Sequence, residues 1–128
     1  TLGQLNAPPL TGLSHLQLDV SDLDANVEWY TTALGVDVLR GEPGRYTTVQ
    51  SDKGRFRLIL AAGGTAGARG ALDHIAFAVA DLDALITWGE HLTAIGIDHE
   101  DIVPNIVGGH PLDLFDPDGN NIELVYEA

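Results

Sequence analysis

From His15 to Val20 the chain alternates, with Leu16, Leu18 and Val20 falling on one side of an extended segment and His15, Gln17 and Asp19 on the other. A period of two predicts a half-buried strand whose apolar side packs on a core. The pattern returns at His74, where Ile75, Phe77 and Val79 take one side and His74, Ala76 and Ala78 the opposite one. Small side chains beside that second histidine leave room for something on its face. Both segments run into short acidic residues, Ser21-Asp22-Leu23-Asp24 and Ala80-Asp81-Leu82-Asp83. These suit a helix N-cap and the positive end of a helix dipole, so helices of about four turns are expected next. The helices should stop near Gly35 and Gly96, because glycine takes the left-handed conformation that other residues resist.

The two stretches are copies. His15 to Tyr30 lies over His74 to Gly89 without a gap, at a constant offset of 59, so that the histidine, the Asp-Leu-Asp-Ala run and the tryptophan coincide. A repeat of this length is one structural unit used twice. Apolar segments then resume as hairpins. Arg45 to Gln50 and Arg55 to Ala61 are expected to turn at Ser51 to Gly54, and Pro111 to Phe115 and Asn121 to Tyr126 to turn at Asp116 to Asn120. Each module reads strand, helix and about three strands, an α+β class. The first spans about 11–61, a glycine-rich linker 62–70, and the second about 71–128. The linker matches no nucleotide-binding fingerprint. Trp29 and Trp88 recur with the repeat and are expected to pack each helix on its sheet.

Composition narrows what the face opposite the core can do. The chain has 128 residues, ample for one domain with an ordinary core, and six basic against nineteen acidic residues give it a formal charge of −13. That charge argues against a nucleic-acid partner, since phosphate would be repelled over most of the surface. No run reaches the roughly 18 apolar residues a membrane helix needs, and TLGQLNAPPL lacks the basic start and apolar middle of a secretory signal. A soluble, cytoplasmic protein with a small-molecule partner is expected. With no cysteine, any metal falls to His, Asp and Glu.

A lone strand histidine is more often structural than ligating. Two at repeat-equivalent positions, on the face free of helix packing, should meet by symmetry. Glu123 joins them from the last strand, where Ile122, Leu124 and Tyr126 form one face and Glu123 and Val125 the other. A carboxylate in an otherwise apolar strand is costly to bury unless paired or metal-bound, although a solvated edge-strand glutamate is the plain alternative. His15, His74 and Glu123 together offer two imidazoles and one carboxylate, a facial ligand set that leaves coordination positions open. Fe2+, Mn2+, Ni2+, Co2+ or Zn2+ would suit it, and magnesium less well. Asp19 and His110 are candidate catalytic proton-transfer groups; Gln17, Arg57 and Asp113 are candidate substrate contacts. For each the alternative is an ordinary surface or structural residue. His91 and His99 receive no role.

The segments GLSHLQLDVSDLD, EWYTTALGVDVL, LDHIAFAVADLD and FDPDGNNIELVYE resemble, over nearly the whole chain, the vicinal oxygen chelate superfamily. This is the superfamily of glyoxalase I, methylmalonyl-CoA epimerase, fosfomycin and bleomycin resistance proteins and extradiol dioxygenases. The resemblance implies paired βαβββ modules with curved mixed sheets around a cavity, a last metal ligand at Glu123, and a site completed across a homodimer. A fourth family ligand would fall at Arg57 or Leu58, depending on how the turn is gapped, and neither binds metal. That departure disfavours the glyoxalase and epimerase pattern. Gln17, where fosfomycin enzymes have Thr or Cys, and the few basic residues disfavour a phosphonate pocket. The function implied is dioxygenase-like or lyase-like chemistry on a small substrate chelated through adjacent oxygens. The alternative is a metal-free protein that sequesters a drug-sized ligand, as bleomycin resistance proteins do.

Overall fold

The computed structural model describes residues 7–52, 55–65, 72–102 and 110–126, with His110 by its backbone alone. The elements run β1 (Leu16–Val20), α1 (Leu23–Leu34), β2 (Asp37–Glu42), β3 (Tyr46–Gln50), β4 (Arg57–Ala62), β5 (His74–Ala78), α2 (Leu82–Ala94), β6 (His110–Phe115) and β7 (Asn121–Tyr126). The first module makes a four-stranded mixed sheet ordered β1-β4-β3-β2, and the second a three-stranded sheet ordered β5-β7-β6. In each, the first strand runs parallel to the last and the hairpin strands pair antiparallel. The two modules are thus built alike, as the repeat requires.

One expected strand is reduced. Among the described residues, the segment after α2 meets the second sheet through an isolated bridge from His99 to Leu114 and a bond from the Glu100 amide to the Asp113 carbonyl at 2.8 Å. Its counterpart in the first module is the six-residue β2. Asp98, Glu100 and Asp101 crowd this short stretch, and acidic residues are poor strand formers.

Both helices begin as their sequence dictates. Asp22 accepts from the Ala25 amide at 3.0 Å and Asp81 from the Ala84 amide at 2.8 Å, each satisfying an amide that the first helical turn leaves open. They end at left-handed glycines, Gly35 at φ 68° and Gly96 at φ 76°, the latter one residue beyond the cap Ile95. Strand alternation sends Leu18, Val20, Leu58 and Leu60 from one sheet, and Ile75, Leu112, Leu114, Ile122 and Leu124 from the other, into a single buried cluster with Tyr30, Leu85 and Leu92. The modules share one core on their helix-packed sides, with Trp29 and Trp88 partly buried against it. Each sheet's opposite side is free to carry chemistry.

A second tie joins the modules. The turn between β6 and β7 buries Asp116 and Asp118, which are 4% and 6% exposed. Asp116 accepts from the Tyr30 hydroxyl at 2.6 Å, the Asn120 side-chain amide at 3.0 Å, and the backbone amides of Asp118 and Asn120 at 3.0 and 2.8 Å. Asp118 accepts from the Asn26 side-chain amide at 2.8 Å and the Ser21 backbone amide at 2.9 Å. Burial and the Asp116 carboxylate push the Tyr30 phenol far above its usual range, so it remains a donor. The Asp-Pro-Asp-Gly-Asn run is therefore a latch onto the first helix as well as a turn.

Candidate metal centre

The parallel ladders fix which residues share the two open faces. In the second sheet Ala76 pairs with Glu123, and Glu123 with Asp113. His74 begins β5 one pleat earlier on the same side. Ala76 between them gives the imidazole and the carboxylate room to converge, and His74 Nε2 stands 4.0 Å from Glu123 Oε2. On the other ring nitrogen, Nδ1 is 2.8 Å from an Asp73 carboxylate oxygen. A carboxylate there holds a proton on Nδ1 and leaves the Nε2 lone pair directed at the space beside Glu123. Asp73 is the residue that pattern analysis overlooked. Its only signal was an aspartate directly before the repeated histidine.

Charge in this corner is unbalanced. Glu123 is held above the usual carboxylate range by burial and by the neighbouring Asp113 carboxyl, with His74 pulling the other way. His74 is raised mainly by its bond to Asp73, against an opposing effect of burial that is next in size, with the Glu123 and Asp113 carboxyls adding to the rise. Two carboxyls facing each other across a strand pair, with an imidazole as their nearest positive group, form a donor set that a divalent cation would relieve. Ligands at about 2.0–2.2 Å from a shared ion sit about 3–4 Å from each other, so the separation of His74 and Glu123 fits a common ion. Asn121 donates to Asp113 at 3.2 Å and fixes that carboxyl in place.

His15 does not join this pair within one chain. Among the described residues no three His, Asp or Glu side chains are grouped as a metal ion would need. His15 lies exposed just ahead of β1, with Nδ1 3.0 Å from the Ser14 hydroxyl. It lines a cavity of about 150 Å³ where β1, β4 and β5 begin, and Arg57 and Ala76 line the same cavity. Gln17 and Asp19 share the open face and are joined, the Gln17 amide donating to Asp19 at 3.1 Å. Gln17 also lines a separate cavity of about 490 Å³ with Arg45, Tyr46 and Ile59. His110 pairs with Tyr126 at the outer end of the hairpin, and its side chain lies outside the described residues.

The ladders also correct the position of the missing fourth ligand. Leu16 pairs with Leu58 and its repeat partner Ile75 pairs with Ile122, so Leu58 corresponds to Ile122 and Ile59 to Glu123. Neither Arg57 nor Leu58 occupies that position. The two hairpins differ in loop length, so only the sheet register could align them. His91, given no role from sequence, donates from Nε2 to the Ala33 carbonyl at 3.2 Å and so bridges the two helices.

Comparison with known proteins gives a consistent picture. A family model described as the glyoxalase/bleomycin resistance protein/dioxygenase superfamily matches residues 12–124. Among solved structures, a lactoylglutathione lyase from Agrobacterium tumefaciens superposes with a TM-score of 0.77 at 22% identity, covering 92% of this chain and 95% of that one. A glyoxylase/bleomycin resistance protein/dioxygenase domain from Frankia sp. EAN1pec gives 0.77 at 28% identity over 94% of each chain. The fosfomycin resistance protein FosX from Listeria monocytogenes gives 0.75 at 20% identity, over 94% and 96%. A mutant of that FosX was crystallised with manganese(II) and a dihydroxypropylphosphonic acid. A search of curated proteins found no match. No helix among the described residues is long and apolar enough to cross a membrane.

Proposed function

Because this chain belongs to the glyoxalase/bleomycin resistance protein/dioxygenase superfamily, we propose that it is a divalent-metal-dependent enzyme acting on a small substrate through adjacent oxygens, by dioxygenase-like or lyase-like chemistry. The ligands are His74 and Glu123 of one chain and His15 supplied by a second copy of the chain. The observation that carries this reading is the Asp73 carboxylate on His74 Nδ1, with Nε2 facing Glu123. An exposed structural histidine has no need of such an arrangement.

A bound metal at this position supplies Lewis acidity toward negative charge developing on a substrate oxygen. The chain's own residues do the rest. Asp73 holds the imidazole in one tautomer and one orientation. Asp113 stands beside Glu123, where a proton or a substrate hydroxyl can be held. Asp19, steadied by Gln17, lies on the first module's open face and is the base offered there. Ile59 at the fourth position offers no ligand, so a three-residue set leaves coordination sites for water and substrate.

One observation favours a second reading. Among the described residues no three ligating side chains gather within one chain, an arrangement compatible with a protein that uses the fold only to sequester a ligand. Elemental analysis separates the two. Wild-type protein incubated with manganese or zinc should retain about one ion per chain, and His15→Ala, His74→Ala and Glu123→Ala should each lose it. Wild type that takes up no metal, or variants that all keep it, would sink the metalloenzyme reading. Size-exclusion chromatography should show a dimer, and mixing His15→Ala with His74→Ala chains should restore metal at one of the two sites.

A further inference from the structure

Positive charge is concentrated in one part of this acidic chain. Of its six basic residues, Arg40, Arg45, Lys53, Arg55 and Arg57 lie within a short stretch of the first module, and the sixth, Arg69, belongs to the linker. Residues 70–128 carry twelve of the nineteen acidic residues and no lysine or arginine. The second module therefore brings the cation-attracting carboxylates, and of the two modules the first alone has a lysine or arginine to attract an anion. Arg57 is placed to do so. On β4 Leu58 and Leu60 are buried in the core, which turns Arg57, Ile59 and Ala61 to the open face. Since Leu16 is level with Leu58, His15 and Arg57 stand side by side one residue earlier.

Both line the small cavity at the start of β1, β4 and β5, along with Ser14, Phe56, Ala76 and Phe77. Arg45 is already committed to Glu42 at 3.3 Å. Arg57 has only a long bond from Nε to the neutral Gln50 amide oxygen, 3.4 Å, and no carboxylate partner among the described residues. In a chain with a charge of −13, a guanidinium left without an acid beside a candidate ligand is available to an incoming anion. Its planar fork fits a carboxylate, and the apolar rings nearby strengthen such a pair.

Resting on the metalloenzyme reading above, we infer that the site takes a small carboxylate substrate with an oxygen on the adjacent carbon, a 2-oxo or 2-hydroxy acid. Arg57 is its specificity-determining contact. The carboxylate is held by the guanidinium, which directs the neighbouring oxygen toward the His15 side of the cavity. A dianionic phosphonate fits less well, since one uncommitted guanidinium cannot balance it against the surrounding acidic surface.

Ligand-observed NMR titration tests this with pyruvate and with hydroxyacetone, which keeps the carbonyl but lacks the carboxylate. Zinc-loaded wild type should bind pyruvate about tenfold more tightly than hydroxyacetone. Arg57→Gln should erase that preference with unchanged zinc content, Arg57→Lys should restore part of it, and Arg55→Gln should leave it intact. Pyruvate binding that is indifferent to Arg57→Gln overturns the inference while the metal reading stands. If zinc does not bind at all, the metal reading fails by itself. The same titration in chelator-treated protein then decides the Arg57 contact, which is upheld by a weaker preference that Arg57→Gln removes and overturned by its absence.

Discussion

The two modules share a strand, a capped helix and a hairpin, yet they divide the work unequally. The first presents His15, Gln17, Asp19 and Arg57 on its open face and puts Ile59 where the second has Glu123. The second presents His74, Glu123 and Asp113, and its turn reaches back to hold the first module's helix. That hold is not returned. The repeat partners of Asn26 and Tyr30 are Leu85 and Gly89, which have no side-chain donor, and the first module's own turn carries an exposed Asp52. A duplicated unit thus keeps its local frame in both copies and concentrates polar anchoring in one and anion attraction in the other.

The sharpest way to break this comparison is to cut the anchor. Asp116→Ala strips four donors of their buried acceptor and should cost about 3–5 kcal/mol, while Asp52→Ala on the other turn should stay within about 0.5 kcal/mol. Urea denaturation of both variants measures the gap. Equal losses would mean that the two turns are energetically alike after all. Within the latch, Tyr30→Phe removes one donor to Asp116 and should cost about 1–2 kcal/mol.

The phenol gives that variant a pH signature. Burial raises the folded Tyr30 above its unfolded value, so its contribution is fully present below about pH 10 and is lost as pH rises beyond that. Only the unfolded chain then gains by ionising. Wild type should lose stability steeply in this alkaline window, and Tyr30→Phe should flatten the fall. An unchanged slope would remove Tyr30 from the account.

The helix ends should instead show the modules behaving alike. Gly35 and Gly96 both hold positive φ, and an added Cβ at either meets no atom within 4 Å. Alanine at each should cost about 1 kcal/mol through backbone conformation alone. A large difference between them would show that one helix end is strained by something beyond its own turn.

What the sequence made legible was local. Asp22 and Asp81, the two glycines and the alternation in β1 and β5 each announce themselves within a few residues, and the offset of 59 doubles every signal. The latch was hidden because Tyr30 and Asp116 meet across 86 residues and the run Asp116 to Asn120 already has a sufficient role as a turn. Asp73 was hidden for the opposite reason: one acidic neighbour in so acidic a chain carries little information until a distance gives it meaning. The position of Ile59 needed the ladder, since alignment across hairpins of unequal length has no fixed register. His15 and His74 were expected to meet by symmetry. Among the described residues they form no three-ligand group with Glu123, and His15 instead lines a small cavity with Arg57 and Ala76.

The smallest change proposed here returns symmetry to the open faces. Ile59 pairs with Gln17 as Glu123 pairs with Ala76, and it is only half-buried. Ile59→Glu would therefore set a carboxylate on the first sheet at the level of Glu123 on the second. It removes little buried apolar surface, so the stability cost should be about 1 kcal/mol or less. If His15 of one chain faces His74 and Glu123 of another, the new carboxylate lies one strand from His15 and adds a fourth ligand to the same ion. Metal should then survive dialysis against a chelator concentration that strips the wild type, and the more saturated coordination sphere should weaken pyruvate binding. Retention identical to wild type would show that the two open faces do not converge on a shared ion, and that the first module's face serves another purpose.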